Sequence, residues 1–398
     1  MKTPIYLDHH ATTPCDPRVV EAMLPYLTEA FGNPGSVTHA FGRAAREAVE
    51  DARGRIASAI GAAPREIVFT SGATESNNLA LRGVAMRHAG GRGHILSVTT
   101  EHRAVLDPLA RLGREGFDVT LLGVLPAGHP EAGRVRLDQL ADALRPDTIL
   151  VSVMLANNEI GAIQPIEQIG ALCRQRGVTF HCDATQAVGK IPVDVDRLGV
   201  DLMSFSAHKI YGPKGVGALF VRRRDRRVKL EPLIDGGGQE GRLRSGTLNP
   251  PGIVGMARAL ELCLAELPDE AERLAALRDA LWNRLRADVP GVVLNGPALE
   301  PRAWRLPNNL NVGFPGLDGE TLLLKLPDLA LSSGSACTSA EPEPSHVLRA
   351  LGLDEAEARA SLRVGLGRFT TRDQIDYAAR RITEEAAALR RLLAADGR

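Results

Sequence analysis

A lysine at the end of an apolar run is the first candidate for chemistry. The chain has only six lysines in 398 residues, and Lys209 follows a predicted strand, Leu202 to Ser206. In a parallel sheet the carboxyl end of a strand is where a ligand binds. A lysine that is shielded from water there can lose its proton near neutral pH and form an imine. For a lone lysine, a structural role is the alternative.

A carboxylate follows the neighbouring predicted strand. Asp183 lies just beyond the run Val178 to Cys182, one strand away from Lys209. A carboxylate at this point can keep a pyridinium nitrogen protonated, which makes a pyridine ring an electron sink. The alternative is that Asp183 caps a helix that begins at Ala184.

Three further strand ends carry suitable polar groups. His102 offers an imidazole that could stack on a flat ring or carry protons, or that could be merely structural. Asn158 offers an amide to a phenolic oxygen. The turn Gly72-Ala73-Thr74 opens a predicted helix, whose backbone N–H groups can hold a phosphate, although an ordinary capped helix looks the same.

One cysteine differs from the other four. Cys337 lies among small residues in the segment Ser332 to Ala340, which favours an exposed, reactive thiol over a buried one. Most of the remaining cysteines should be inert core residues, because free cysteine is among the most buried residue types. Arg363 precedes the last predicted helix and could grip a substrate carboxylate through its planar guanidinium.

The elements that must position these residues alternate in type. Seven short apolar runs are predicted strands: Glu66 to Thr70, His94 to Thr99, Asp118 to Leu122, Thr148 to Met154, Val178 to Cys182, Leu202 to Ser206 and Gly217 to Val221. Four stretches with apolar residues three or four apart are predicted helices: Thr74 to His88, His102 to Glu115, Leu137 to Leu144 and Ile166 to Arg176. This alternation predicts an α/β fold with a mainly parallel sheet covered by helices.

The pattern changes beyond a glycine-rich stretch, Asp235 to Gly246. We predict a large domain over residues 14–250 and a smaller α+β domain formed by residues 1–13 and 251–398. Residues 252–287 read as a long helical region that is broken or capped near Pro268, and Thr371 to Leu393 as an amphipathic helix.

Composition excludes several classes of protein. Apolar residues make up 44% and charged residues 24%, which excludes disorder and coiled coils, and the net charge of zero gives no field that would attract nucleic acid or a membrane. No apolar stretch is long enough to span a membrane, and the start MKTPIYLDHH lacks a signal peptide, so we expect a cytoplasmic protein. No zinc or other metal motif is present in the sequence.

A local run of charge lies between Arg222 and Lys229, where six of eight residues are basic. The run predicts a solvated turn or, alternatively, a docking patch for an acidic partner.

Nine motifs together resemble the cysteine desulfurases of the IscS/NifS type, in the class V aminotransferase group. They span nearly the whole chain: YLDHHATTP, SGATESNN, TEH, NNEIG, DATQ, SFSAHKIYGPKG, RSGT, SSGSACTSA and LGRFTT. The resemblance implies the fold type I of pyridoxal-phosphate (PLP) enzymes and pyridoxal 5'-phosphate as cofactor. A selenocysteine lyase or an aminotransferase of this fold is the enzymatic alternative, but it would not need Cys337. A non-catalytic relative would have lost the lysine or the cysteine.

The resemblance also implies roles for particular residues. Lys209 would bond the cofactor, Asp183 would pair with its pyridinium nitrogen, His102 would stack on its ring and act as acid and base, and Gln186 and Asn158 would contact its phenolic side. Ala73, Thr74, Ser206 and His208 would hold its phosphate, together with Thr247 from the second subunit of a homodimer. Cys337 would carry the persulfide, and Arg363 would bind the carboxylate of L-cysteine, with Asn158 as a second substrate-binding residue.

The implied products are L-alanine and an enzyme persulfide, whose sulfur passes to acceptor proteins such as an iron-sulfur scaffold. Housekeeping members of the family have a C-terminal tail that contacts this scaffold, whereas the present chain stops at LLAADGR. We therefore expect weak docking of such a scaffold, unless the basic run provides another surface.

Overall fold

A computed structural model of the chain describes residues 2–88, 92–333 and 344–396. Its strands are β1 (Ile5–Tyr6), β2 (Ile67–Thr70), β3 (His94–Val98), β4 (Asp118–Leu122), β5 (Thr148–Ser152), β6 (Thr179–Asp183), β7 (Leu202–Ser206), β8 (Gly217–Val221), β9 (Val293–Leu294), β10 (Asn309–Gly313), β11 (Leu329–Ala330) and β12 (Ser361–Gly365). Its helices are α1 (Pro17–Met23), α2 (Pro25–Thr28), α3 (Ala40–Ala59), α4 (Ala73–Arg87), α5 (Arg103–Arg114), α6 (Leu137–Ala143), α7 (Ile166–Arg176), α8 (Val195–Leu198), α9 (Pro250–Asp288), α10 (Gly319–Leu324), α11 (His346–Ala350), α12 (Glu355–Arg359) and α13 (Arg372–Asp396).

A seven-stranded sheet forms the centre of the molecule. Its strand order is β2-β8-β7-β6-β5-β3-β4, and every neighbouring pair from β7 to β4 is parallel. Only β8 runs antiparallel, to both β7 and β2. The predicted mainly parallel sheet is thus confirmed, and the seven predicted strands match the observed ones to within two residues at either end.

Helices cover both faces of this sheet because its strands are apolar on both faces. Along β7, Leu202 packs with the cluster under α4 and α5, whereas Met203 and Phe205 pack with the cluster under α3, α7 and the start of α9. Strands buried on both sides read as continuous apolar runs, which is why they stand out in the sequence.

The longest helix corrects one prediction. We expected a break or cap near Pro268, but α9 runs without interruption for 39 residues, from Pro250 to Asp288, with Pro268 inside it. An internal proline costs a helix about 3 kcal/mol. Here the helix packs on both sides of that point: Met256 and Leu260 belong to the main core, while Leu277 and Leu281 belong to a second core. Packing of both halves outweighs the local cost.

The second core lies around a three-stranded sheet, β12-β10-β9. It joins the end of α9 to α13, and Ile5 and Leu7 from the N-terminus also belong to it. The short strand β1 pairs with β11 beside this core. The division at residue 250 stays a prediction. None of the helices in the described ranges is long and apolar enough to cross a membrane.

The basic run makes internal contacts. Arg222 donates to the carbonyl oxygen of Val200 at 2.8 Å and pairs with Asp196 at 2.6 Å. Arg224 pairs with the buried Glu66 at 3.0 Å, and Arg226 donates to the carbonyl oxygen of Gly177 at 2.8 Å. These three arginines bind residues around the end of β8. Their contacts favour a structural role over a docking patch for an acidic partner.

Candidate active site

Ten of the twelve predicted site residues line one cavity of about 600 Å³, which we call the strand-end cavity. They are Ala73, Thr74, His102, Asn158, Asp183, Gln186, Ser206, His208, Lys209 and Arg363. The cavity lies beyond the carboxyl ends of the parallel strands, where this kind of sheet places its ligands.

Lys209 reaches the cavity from a short 3-10 turn, Ala207–Lys209, that directly follows β7. Its Nζ donates to the carbonyl oxygens of His10 and Ala11, each at 2.6 Å. His10 and Ala11 belong to the N-terminal segment that follows β1. The amine of Lys209 is therefore held between the main sheet and this segment, which begins in the second core.

Asp183 ends β6, which lies beside β7 so that Asp183 is in register with Ser204. One carboxylate oxygen accepts from Nδ2 of Asn77 at 2.7 Å, and the other accepts from the backbone N–H of Thr185 at 2.9 Å. Two donors fix the plane of this buried carboxylate. The second contact is the capping interaction that we weighed as an alternative, so Asp183 caps the turn and also faces the cavity.

His102 caps α5, because its Nδ1 accepts from the backbone N–H of Ala104 at 3.0 Å. Burial lowers the pKa of His102, although the carboxylate of Asp183 raises it in part. The ring is therefore neutral at pH 7, and since Nδ1 is an acceptor, the ring proton is on Nε2. Glu101, next to it, is fully buried and accepts from the N–H of Met154 at 2.6 Å, and burial raises the pKa of its carboxyl.

The start of α4 forms one end of the cavity. Gly72, Ala73 and Thr74 lie there, and the unpaired N–H groups of a helix N-terminus favour an anion. Gly217 makes room for this turn, since a Cβ on it would lie 2.7 Å from the Cα of Gly72. The carboxylate of Glu75 at the same end is bound by Arg244, at 2.9 Å.

Two polar side chains complete the wall beside this turn. Ser206 ends β7 and His208 follows it in the 3-10 turn. Nδ1 of His208 lies 3.1 Å from the hydroxyl of Thr12, and burial lowers the pKa of His208 to about 4.

Arg363 lines the cavity from β12. Its Nη2 donates to Asp8 at 2.8 Å and its Nη1 to the carbonyl oxygen of Asn158 at 3.2 Å. Its Nε is buried and has no hydrogen-bond partner within the described part of the chain. The guanidinium is thus positioned, yet one of its donors is still available to a carboxylate.

Cys337 lies outside the described residues, but the residues on either side of the gap are anchored at the cavity. Ser332 bridges to Arg363, whose N–H donates to its carbonyl oxygen at 2.7 Å. Ser345 donates to the buried carboxylate of Glu159, and Nε2 of His346 lies 2.9 Å from the carbonyl oxygen of Glu101. The described residues that flank positions 334–343 therefore contact residues adjacent to the cavity walls.

The four cysteines that the structure describes are poor nucleophiles. Cys173, Cys182 and Cys263 are buried and Cys15 is half-buried, as the sequence predicted for most of them. Burial raises the pKa of all four thiols, to about 12 for Cys173 and Cys263.

Thr247 is the one described candidate that lies elsewhere. It lines a second cavity of about 620 Å³, together with Arg53 and Glu240, which form an ion pair at 2.7 Å. Within one chain Thr247 does not contribute to the strand-end cavity. The role that the resemblance implies for it requires a second subunit.

Two residues of the site were missed from the sequence. Asn77 is fully buried on α4 and orients Asp183. His10 lines the cavity and its carbonyl oxygen binds Lys209. Both lie inside motifs that carried the resemblance, SGATESNN and YLDHHATTP. Membership of these motifs was the only feature of the sequence that could have identified them as site residues.

Comparison with known proteins gives consistent matches. Residues 5–378 match the family Aminotransferase class-V. The chain is 54% identical over 393 residues to the cysteine desulfurase IscS of Anaeromyxobacter dehalogenans (strain 2CP-C), covering 98% of this chain and 95% of that protein. It is 52% identical over 389 residues to a probable mitochondrial cysteine desulfurase of Schizosaccharomyces pombe, covering 98% of this chain and 75% of that protein.

Two solved structures superpose on nearly the whole of this chain. A NifS-like protein superposes with a TM-score of 0.88 at 39% identity, over 97% of this chain and 100% of that one. A structure described as SspA in complex with cysteine superposes with a TM-score of 0.79 at 38% identity, over 92% of this chain and 99% of that one.

Proposed function

Because the chain belongs to the class-V aminotransferase family and is a cysteine desulfurase of the IscS/NifS type, we propose that its strand-end cavity binds pyridoxal 5'-phosphate and L-cysteine and that Cys337 accepts the sulfur. Enzymes of this family depend on that cofactor. The juxtaposition of Lys209, Asp183 and Arg363 in one cavity is the observation that carries the proposal. The matched proteins favour this activity over a selenocysteine lyase or another aminotransferase.

The cavity suits the proposed cofactor at both ends. The N-terminus of α4 with Thr74, Ser206 and His208 provides donors for a phosphate. At the other end the Asp183 carboxylate is oriented for a cationic ring nitrogen, and buried polar atoms nearby have no partner among the described residues. These are Oδ1 of Asn77, Nε2 of His10, Oγ1 of Thr185 and Nε of Arg363. Buried polar atoms without partners are costly, so a polar ligand would stabilise this site.

Each residue has a defined task in this proposal. The cofactor, when bound through Lys209, withdraws electrons from the substrate and so weakens the bonds around its α-carbon. Arg363 binds the substrate carboxylate through its free Nε, and Asn158 and Gln186 contact the phenolic side. His102 would stack on the ring, and its neutral imidazole would exchange protons with the substrate, including the thiol proton. Lys209 would move protons at the α-carbon of the substrate.

Sulfur transfer completes the reaction. The Cys337 thiolate attacks the substrate sulfur, so that a sulfur–sulfur bond forms while the bond between that sulfur and the β-carbon breaks. The electron pair of the broken bond stays with the carbon skeleton, which takes up a proton and leaves as L-alanine. The raised pKa of the other four thiols supports Cys337 as the nucleophile, as does the anchoring of Ser332 and Ser345 beside the cavity.

We also propose an oligomeric state, a location and partners for the enzyme. The enzyme acts as a homodimer in the cytoplasm, and Thr247 of one subunit contributes to the phosphate site of the other. The sulfur passes to acceptor proteins, of which an iron-sulfur scaffold is one. Neither nucleic acid nor a membrane is a partner.

The test is to incubate the purified, PLP-loaded protein with L-cysteine and to quantify alanine together with the mass of the Cys337 peptide. We expect stoichiometric alanine and a peptide heavier by one sulfur atom. Cys337→Ala should bind L-cysteine but release no alanine, whereas the matched control Cys15→Ala should behave as the wild type. Alanine at the wild-type rate from Cys337→Ala would refute the role of Cys337.

A further inference from the structure

His10 has a buried nitrogen that no described residue binds. The side chain lines the strand-end cavity and only 1% of its surface is exposed. Its Nδ1 lies 3.1 Å from Oε1 of Gln186, whereas its Nε2 has no hydrogen-bond partner in the described ranges. A buried polar atom without a partner is costly unless a ligand satisfies it.

The surroundings of Gln186 determine where the His10 proton lies. Nε2 of Gln186 donates to the carbonyl oxygen of His10 at 2.9 Å, so Oε1 is the acceptor end of this amide. Oε1 also accepts from Nζ of Lys190 at 2.7 Å. Nδ1 of His10 must therefore carry a hydrogen, which leaves Nε2 of the neutral ring as a free acceptor. Burial, aided by Lys190 and Arg363, lowers the pKa of His10 and keeps the ring neutral.

His10 contacts both elements that would hold an amino acid substrate: its backbone meets Lys209 and its ring meets the strand that carries Arg363. The carbonyl oxygen of His10 accepts from Lys209 at 2.6 Å. Its ring packs against Gly365, where a Cβ would lie 2.8 Å from Cδ2 of His10. Gly365 follows Arg363 by two residues on β12, and Asp8, two residues before His10, pairs with Arg363. In an α-amino acid the amino group is adjacent to the carboxylate.

We propose that Nε2 of His10 accepts a hydrogen bond from the α-amino group of L-cysteine while Arg363 holds its carboxylate. The inference rests on the proposed function, since it takes L-cysteine as the substrate. His10 would orient the amino group toward Lys209. It is a substrate-binding residue, and its contact does not depend on the thiol.

The experiment measures dissociation constants for three ligands of the PLP-loaded protein by absorbance titration and calorimetry, with every variant and its parent carrying Cys337→Ala so that L-cysteine is bound but not converted. L-cysteine and L-alanine share the amino group, and 3-mercaptopropionate has the thiol and carboxylate but no amino group. His10→Asn keeps an amide near the position of Nδ1 and removes the acceptor at Nε2, whereas His10→Gln places an amide near Nε2. The matched control is His9→Asn, because His9 is the buried neighbour of His10 in the turn that follows β1 and is not among the residues lining the cavity.

We expect His10→Asn to weaken binding of L-cysteine and of L-alanine equally, by about 10-fold or more, as for a lost hydrogen bond to a charged group. Binding of 3-mercaptopropionate should not change, His10→Gln should recover part of the loss, and His9→Asn should match the parent. If His10→Asn does not fold, His10→Phe replaces it, because phenylalanine keeps the volume of the ring. We expect the same weaker binding of L-cysteine and L-alanine and the same unchanged binding of 3-mercaptopropionate.

Three results would overturn the inference. The first is an unchanged affinity of His10→Asn for L-alanine. The second is a loss confined to L-cysteine, which would assign the acceptor to the thiol. The third is an equal loss for 3-mercaptopropionate, which would indicate general distortion of the cavity. If instead the wild type released no alanine from L-cysteine, the proposed function itself would fail, and these titrations would separate the two failures.

Discussion

Replacing Ser345 with alanine should reduce both stability and sulfur transfer. The hydroxyl of Ser345 makes two contacts at once: it donates to the buried carboxylate of Glu159 and accepts from the N–H of Leu348 at 3.1 Å, which caps α11. Ser345 is 3% exposed, so water cannot replace the hydroxyl.

The magnitude follows from these two contacts. Loss of a serine N-cap costs about 1 kcal/mol. A buried carboxyl group that loses its hydrogen-bond partner costs about 1–3 kcal/mol more. The free energy of unfolding of Ser345→Ala should therefore fall by about 2–4 kcal/mol. Catalysis should also suffer, because Ser345 anchors the segment with Cys337, and a nucleophile must be held near its target.

Urea unfolding measures the first effect, and alanine release with L-cysteine titration measures the second. We expect slower alanine release at an unchanged dissociation constant for L-cysteine. Asp318→Ala is the matched control. The substitution removes the cap of α10, where Asp318 accepts from the N–H of Thr321 at 2.7 Å, and Asp318 is not among the residues lining the cavity. The control should lose about 1 kcal/mol and no activity. An equal loss of stability in both variants would refute the contribution of Glu159, and an unchanged rate for Ser345→Ala would refute the anchoring argument.

Further predictions concern the cofactor, the dimer and pH. Borohydride reduction of the PLP-loaded protein should label Lys209, and Lys209→Ala should lose the visible absorption band of the bound cofactor; a label on Lys214 would contradict the assignment. Thr247→Ala should weaken cofactor binding in a dimeric protein, and light scattering that showed a monomer with full cofactor affinity would exclude the shared site. Burial lowers the pKa of three histidines to about 4, namely His9, His181 and His208. Because the unfolded chain binds these protons at its higher pKa of about 6.5, the free energy of unfolding should fall as pH drops from about 6.5 toward 4, by up to about 1.4 kcal/mol per pH unit for each histidine. Urea unfolding at several pH values, without added cofactor, checks this, and a flat profile would contradict it.

The main sheet and the gathering of most candidate residues were predictable because both depend on local patterns. Continuous apolar runs marked the strands, and the edge rule for parallel sheets then brought Lys209, Asp183 and His102 together. The structure adds which neighbour orients each group, such as Asn77 for Asp183.

Other features could not be predicted from local patterns. The helical pattern gave no sign that α9 would continue through Pro268, since that depends on packing against two separate cores. The charge run beginning at Arg222 suggested a solvated turn or a docking patch. The residues with which it forms ion pairs, Asp196 and Glu66, lie far away in sequence, so these pairs could not be predicted. His10 was missed for the same reason, because its environment is built from Gln186, Lys190 and Gly365.

The continuity of α9 has a consequence for dividing the protein into fragments. Residues 14–250 expressed alone would lack Ile253, Met256 and Leu260, and so would expose part of the main core to water. Moving the cut to the middle of α9 would keep these residues but would divide a helix whose two halves are continuous. Since Ile5 and Leu7 belong to the second core, the chain connects the two cores at its beginning as well as along α9. No single cut therefore yields two complete cores, and the two parts of this enzyme should be expressed and engineered together.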